Sequence, residues 1–256
     1  MRALVTGAGG RLGQAMAVEL ARSGHDVAIH YAASAAGARQ TEAAVSAEGR
    51  RATILQADLL DLDAAEALVP RAAEALSGPL TVLVNNASIF EHDDIHTATR
   101  DSWDRHMRSN LQAPFLLMQA FAAQAPAVAN DGELLATANV VNMIDQRVRK
   151  LTPEFMTYTL AKSTLWTLTR TAAQALAPAI RVNAIGPGPT LRGARQSPDH
   201  FAAQRAATVL ERGADPSDIV DALSYILSAR TLTGQLLCID GGQHLAWRTP
   251  DVLGVE

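Results

Sequence analysis

One cysteine, Cys238, stands in a chain of 256 residues. Its solitude excludes an intramolecular disulfide and a cysteine-built metal centre, and fits a reducing compartment. Aromatic residues are sparse at 4%, although the apolar fraction of 48% is ordinary for a globular protein. There is no excess of positive charge: 22 Lys plus Arg against 26 Asp plus Glu gives −4. Such a balance provides no electrostatic footprint for nucleic acid or an anionic membrane. No run approaches the ~18 uninterrupted apolar residues that span a bilayer. The opening MRALVTGAGG has glycines where a secretion signal needs its apolar stretch. The expectation is a cytoplasmic protein with neither a nucleic-acid nor a membrane partner.

What the chain does have is alternation. Short β-rich runs are expected at Ala3–Thr6, Asp26–Tyr31, Ala52–Gln56, Thr81–Val84, Leu134–Asn142, Ile180–Ala184 and Leu236–Ile239. Between them lie Ala-rich amphipathic stretches at Arg11–Ser23, Ala35–Ala47, Asp61–Leu76, Asp101–Gln124, Pro153–Ala177 and Pro216–Ser228. This order predicts βαβ units, hence an α/β fold with a doubly wound parallel sheet buried on both faces. Turn signals such as Ser77-Gly78-Pro79 and Asn130-Asp131-Gly132 fall at the junctions. With no linker, charge block or repeat, residues 1–256 read as a single domain. The Gly/Pro-rich stretch Gly186–Pro198 is the one long connection without an obvious element. A substrate lid around 186–212 is the expectation there.

The first strand runs into Thr6-Gly7-Ala8-Gly9-Gly10-Arg11-Leu12-Gly13 and then a helix. A glycine turn at the first βα junction lets backbone approach a pyrophosphate, whose charge the helix N-terminus favours. No Lys-Ser or Lys-Thr closes it, which excludes a P-loop. The second strand ends in Ile29-His30-Tyr31-Ala32-Ala33-Ser34, without the acid that binds a ribose 2′-hydroxyl. Arg11, with His30 and Ser34 as further donors, suits a 2′-phosphate, so NADP is expected over NAD. Arg11 covering the helix start is the plainer reading. Asp58, in Gln56-Ala57-Asp58-Leu59, either accepts from an adenine amino group or caps the next helix. Asn85-Asn86-Ala87-Ser88 closes the fourth strand and suits the floor of a ligand crevice.

After the fifth long strand, a helix carries Tyr158 and Lys162, four residues apart and so on one face. An ammonium beside a phenol favours the phenolate and should lower the tyrosine pKa. With these residues in place, the chain resembles the short-chain dehydrogenase/reductase family over nearly its whole length. TGAGGRLG at 6–13, NNAS at 85–88, Asn110 in Ser109-Asn110-Leu111, YTLAK at 158–162, RVNAIGPGP at 181–189 and DGG at 240–242 carry the likeness. The resemblance implies strand order 3-2-1-4-5-6-7, a homo-oligomer that is typically a tetramer, and NADP(H)-dependent hydride transfer. It implies Tyr158 as acid, Lys162 on the ribose and Asn110 holding a water in the proton path. Pro187, Gly188 and Thr190 would contact the nicotinamide end. The residues expected around the nucleotide are therefore Gly7, Arg11, Leu12, Gly13, His30, Tyr31, Ser34, Asp58, Leu59, Asn86, Ala87, Ser88, Met143, Tyr158, Lys162, Pro187, Gly188 and Thr190.

Most family members carry a serine 13 residues before the tyrosine, and here that position is Asp145. A carboxylate accepts rather than donates unless protonated, so it suits a ring nitrogen or amino group better than a carbonyl oxygen. The pteridine reductases and the dihydromonapterin reductases share this aspartate. Arg11-Leu12-Gly13, His30-Tyr31 with Ser34, Asn86-Ala87-Ser88-Ile89-Phe90 and Asn142-Met143-Ile144-Asp145 also resemble that subgroup. Ala33 departs from it, for the pteridine reductases have an arginine there. By the resemblance Phe90 stacks on a pterin opposite the nicotinamide, while Asp145 and Ser88 hydrogen-bond its edge. The plainer readings are a helix or turn cap for Asp145 and a core aromatic for Phe90. His92, Asp93, Asp94 and His96 read as a solvated loop rather than a metal site. Arg147, Arg149 and Lys150 read as loop charges within reach of an anionic substrate. The expectation is an NADPH-dependent reductase of a pterin-like small molecule, with two alternatives. One is an ordinary reductase of a sugar, 3-oxoacyl or xenobiotic ketone; the other is a dinucleotide-sensing protein without turnover.

Overall fold

In β1 (Arg2–Val5), Ala3 and Val5 point to one side and Leu4 to the other, and all three are fully buried. That period-two pattern with apolar residues on both sides is what a strand covered on both faces requires. The computed structural model describes residues 1–193 and 196–249. In chain order β1 is followed by α1 (Arg11–Arg22), β2 (Asp26–Tyr31), α2 (Ala35–Ala47), β3 (Ala52–Gln56), α3 (Leu62–Ala75) and β4 (Val82–Asn85). The second half runs α4 (Arg100–Met107), α5 (Ala113–Gln124), β5 (Ala129–Asn130), β6 (Leu134–Leu135), β7 (Ala138–Met143) and α6 (Met156–Leu176). It ends with β8 (Ile180–Pro187), α7 (Pro198–Ala206), α8 (Pro216–Ser228) and β9 (Leu236–Ile239).

Seven strands form one sheet in the order β3-β2-β1-β4-β7-β8-β9, every pairing parallel. This is the doubly wound single-domain fold expected. Met16 and Leu20 of α1, Val45 of α2 and Ile219, Leu223 and Ile226 of α8 fill one face. Leu68 and Val69 of α3 and Leu117 and Phe121 of α5 fill the other. The winding reverses between β1 and β4, which opens a crevice at the carboxyl ends of those strands. No described helix is long and apolar enough to cross a membrane.

Two expectations need correction, and one segment gains an element. The run 134–142 is not one strand: β5 and β6 pair antiparallel as a separate hairpin before β7 begins at Ala138. The helix expected over 101–124 is broken by a π-helical turn at Arg108–Gln112 that separates α4 from α5. The segment 186–212 contains α7, which begins at Ser197-Pro198 with the Ser197 hydroxyl accepting from His200 N at 3.1 Å. None of its residues is buried, so it carries no apolar stripe to announce it.

Candidate active site

The glycine turn is braced from beneath. Buried His30 accepts the Gly7 N–H on Nδ1 at 3.1 Å, and its Nε2 lies 3.1 Å from the Ala57 carbonyl, which only an N–H can satisfy. Both ring nitrogens are therefore spent on backbone, so His30 supports the turn instead of reaching toward a 2′-phosphate. Burial lowers its pKa and keeps it neutral. Thr6 knits the turn to the end of β4: its Oγ1 accepts from Asn86 N at 2.9 Å and Ala87 N at 3.0 Å. Asn86 returns the tie, donating Nδ2 to the Thr6 carbonyl at 2.8 Å. Gly7 has φ +65, and a Cβ on Gly13 would lie 2.6 Å from the Gly7 carbonyl. No side chain caps the N-terminus of α1, whose free N–H groups fit the pyrophosphate of a dinucleotide.

The remaining turn residues divide. Ser34 donates to the Gly9 carbonyl at 3.1 Å, and Asp58 accepts from Leu60 N at 3.0 Å, a local turn that leaves its second oxygen. Arg11 reaches across the crevice and donates to the Arg192 carbonyl at 3.0 Å. Tyr31 and Leu59 flank the carboxyl ends of β2 and β3. Gly188 donates its N–H to the Ile239 carbonyl at 3.0 Å, while Thr190 Oγ1 bonds back to the Gly188 carbonyl at 3.2 Å.

At the other end of the crevice, Leu12, Asn86, Ser88, Met143, Ile144, Asp145, Tyr158, Lys162, Pro187 and Gly188 line one cleft of roughly 180 Å³. Asp145 uses its two oxygens for different tasks. Oδ1 accepts from Arg147 N at 2.8 Å and starts the 3-10 turn Gln146–Val148; Oδ2 accepts from the Tyr158 hydroxyl at 3.0 Å. The cap and the site residue are thus the same side chain. Ser88 lines the same cleft, its hydroxyl donating to the Ile89 carbonyl at 3.3 Å. Lys162 donates to the Met143 carbonyl at 2.7 Å, with Nζ 5.8 Å from the tyrosine ring centre. The Asn110 side chain grips the Ile89 peptide, donating to its carbonyl at 2.8 Å and accepting its N–H at 2.9 Å. It sits in the π-helical turn and fixes the loop that carries Phe90.

The electrostatics correct one expectation. Tyr158 is not lowered; burial first, and then the neighbouring Asp145 carboxylate, hold its phenol well above the ordinary value. Burial also raises Asp145, against the opposing pull of the Arg147 N–H and guanidinium, the Tyr158 hydroxyl and Lys162. Lys162 is pushed down to about 8 by burial. The site therefore holds a phenol that keeps its proton, beside a carboxyl group shifted toward taking one.

Phe90 is not a core residue. It is 47% exposed and lies flat on Phe155, with ring centres 4.3 Å apart and planes 5° from parallel. Its edge meets Tyr158 at 4.7 Å, and the Arg147 guanidinium covers Phe155 at 5.0 Å. Phe155 holds a left-handed backbone, φ 55, a conformation costly for a residue with a Cβ. Sequence reasoning missed Phe155, His106 and Asp93. Asp93 is not solvated: it is 3% exposed and accepts from the backbone N–H of Thr157 at 3.1 Å and from the Thr157 hydroxyl. Asp94 closes its own turn by accepting from His96 N and Thr97 N. Among the described residues no group of three or more His, Cys, Asp or Glu is placed to hold a metal ion.

A doubly wound sheet, an uncapped glycine turn and a buried Tyr–Lys pair in one cleft define a dinucleotide-dependent oxidoreductase. Residues 7–244 match the short-chain family model described as enoyl-(acyl carrier protein) reductase, and the chain belongs to the short-chain dehydrogenase/reductase family. A solved structure from Brucella canis, FolM alternative dihydrofolate reductase 1 complexed with NADP, is 41% identical. It superposes with a TM-score of 0.90 over 98% of this chain and 96% of that one. The Brucella suis protein of the same description, also with NADP, is 42% identical with TM-score 0.90 over 98% of both chains. A granaticin polyketide synthase putative ketoacyl reductase 2 from Streptomyces violaceoruber is 32% identical over 95% of this chain and 96% of its own.

Proposed function

We propose that this chain is an NADPH-dependent reductase that adds hydride to the carbon of a C=N bond in a pterin or similar flat nitrogen heterocycle. The observation that carries the reading is the Asp145–Tyr158 hydrogen bond at 3.0 Å, where a family serine would offer only a hydroxyl. The Brucella proteins, whose description names dihydrofolate reduction and NADP, support the same substrate class.

Bound NADPH supplies the hydride. Gly7, Gly13 and the N-terminus of α1 would hold its pyrophosphate, Arg11 and Ser34 would serve its adenosine half, and Lys162 its nicotinamide ribose. Tyr158 gives its hydroxyl proton to the ring nitrogen as the adjacent carbon is reduced. Protonated Asp145 then returns a proton from Oδ2 to the phenolate, reversing the direction of the bond in which the phenol now donates, and is reprotonated from solvent. The Lys162 ammonium stabilises the phenolate as it forms. Phe90, backed by Phe155, supplies the flat wall that orients the ring. The described parts of 186–212, tied down where Arg205 donates to the Pro189 and Ala214 carbonyls, cover the ligand in this reading, and residues 194 and 195 of that segment lie outside the described residues.

Purified protein should oxidise NADPH with dihydrobiopterin or dihydromonapterin, and Tyr158→Phe should cut turnover by about 10²-fold or more. Turnover of ketones alone would replace this reading with an ordinary carbonyl reductase. NADPH binding without turnover on any substrate would leave only a dinucleotide sensor. The proposed setting is cytoplasmic and the proposed assembly a homotetramer. An apolar groove lined by Phe115, Met118, Leu168, Ala172 and Leu176 between α5 and α6 supports burial against another copy.

A further inference from the structure

His106, Thr157 and Asp93 form a buried chain of hydrogen bonds against the proposed site. Glu91 donates its backbone N–H to His106 Nε2 at 3.2 Å. Because that nitrogen accepts, the ring proton of neutral His106 belongs on Nδ1, which lies 2.7 Å from Thr157 Oγ1. The Thr157 hydroxyl, receiving from His106, turns its own hydrogen to Asp93, which also accepts from Thr157 N at 3.1 Å. Every donor in the chain runs one way, from Glu91 to the Asp93 carboxylate. Burial lowers the His106 pKa, while Thr157 bonds hold Asp93 below the ordinary carboxylate range, so the charge states agree with that direction.

The chain joins three elements that also meet through the Arg105–Glu91 ion pair at 2.9 Å and the Met156 N–H on the Asp93 carbonyl at 3.3 Å, and it is the buried link that runs through all three. Glu91 follows Phe90 in the loop after β4, His106 is on α4, and Thr157 precedes Tyr158 at the start of α6. The His106 ring itself stands 6.0 Å from the Tyr158 ring centre. We propose that Asp93, Thr157 and His106 are positioning residues that set where the Phe90 wall stands relative to the Tyr158 proton donor, and so how a flat substrate lying on Phe90 is presented to that donor. The inference rests on the proposed roles of Phe90 and Tyr158. None of the three lines the cleft that holds Asp145, Tyr158 and Lys162.

Asp93→Asn tests it without changing volume. An amide cannot accept at both former oxygen positions. With its NH2 toward Thr157 Oγ1, the threonine hydrogen must turn to His106 Nδ1. The ring proton is then driven to Nε2, where it faces the Glu91 N–H. With the amide turned over, its NH2 opposes the Thr157 N–H instead. The full-length Asp93→Asn enzyme should show a KM for dihydrobiopterin raised about tenfold with kcat much less changed. Nitrogen-15 spectra should show His106 leaving the Nδ1–H form. Thr157→Ser, which keeps the hydroxyl, should keep the wild-type KM, whereas Thr157→Val should raise it. A wild-type KM in Asp93→Asn, or a fall in kcat alone, overturns the proposal. So does a serine variant that behaves like the valine one. Crystal structures of wild type and Asp93→Asn with NADP supply a readout independent of turnover: the Phe90–Tyr158 centroid separation of 4.7 Å should widen, and an unchanged value overturns the proposal. If the wild type reduces no pterin, the proposed function falls while that comparison still decides this one.

Discussion

At Asp145 one carboxyl group is divided between fold and chemistry. Oδ1 is committed to the turn, so the residue cannot swing away, and Oδ2 is thereby aimed at Tyr158. A serine there would keep a cap but lose the second acceptor and the reservoir of one proton. Asp145→Ser should therefore lower kcat/KM for dihydrobiopterin by about 10²-fold, the loss of a positioned acid, and raise reduction of a simple ketone. Steady-state assays on both substrates check this, and unchanged pterin turnover would refute it. The pH profile follows from the same group of side chains. Asp145 is shifted upward, so reductive turnover should decline as pH rises through its titration. A further loss should come above about 8, where Lys162 sheds the charge that stabilises the phenolate. Asp145→Asn cannot exchange a proton and should remove the first decline while leaving the second.

Elements explain which parts of this site could be read in advance. The glycine turn, Tyr158, Lys162 and Asp145 were legible because each sits at a strand end or on one helix face, where spacing along the chain is spacing in the site. Asp93, His106 and Phe155 were not. Sixty-four residues separate Asp93 from its partner Thr157, and only tertiary packing of the loop after β4 against the start of α6 brings them together. The π-helical turn was hidden for a related reason: Asn110 holds the Ile89 peptide, a contact outside its own helix. α7 did have a local signal in Ser197-Pro198, but with none of its residues buried it gave no apolar periodicity. Buried Arg181 shows how much one such distant contact can hold. From β8 it donates to the Ile226, Leu227 and Leu232 carbonyls at 2.8, 2.9 and 3.0 Å, closing the end of α8. Arg181→Met keeps most of the volume and strands these acceptors, and should cost about 3 kcal/mol in urea denaturation. A loss under about 0.5 kcal/mol would show that water or other donors replace it.

Across the whole molecule, three histidines are buried and held neutral by different parts of the fold. His25 closes α1 against the Leu20 carbonyl, His30 braces the glycine turn, and His106 belongs to the chain beside Tyr158. Burial is the first cause of the lowered pKa in each. In the unfolded chain all three titrate near 6.5. Between that value and their lower folded values the unfolded state binds more protons, so stability is lost as pH falls below about 6.5. Each histidine contributes at most about 1.4 kcal/mol per pH unit, equivalent to about 2–4 °C in the melting midpoint of a domain this size. Asp145 opposes this trend wherever it titrates above the ordinary carboxylate range, because its raised pKa favours the folded state as it takes up a proton, but it is one group against three. Asp93, shifted down, adds a loss only below the ordinary carboxylate range, near 3.8. The melting midpoint should therefore fall clearly from pH 7.5 to pH 5.5, before carboxylates dominate. His25→Asn, which retains a donor for Leu20 and cannot titrate, should remove about a third of that slope. Equal midpoints at the two pH values, measured in the same buffer ions, would mean that these histidines are protonated inside the fold. The Nδ1–H form of His106, and with it the one-way order of the chain beside Tyr158, would then be wrong.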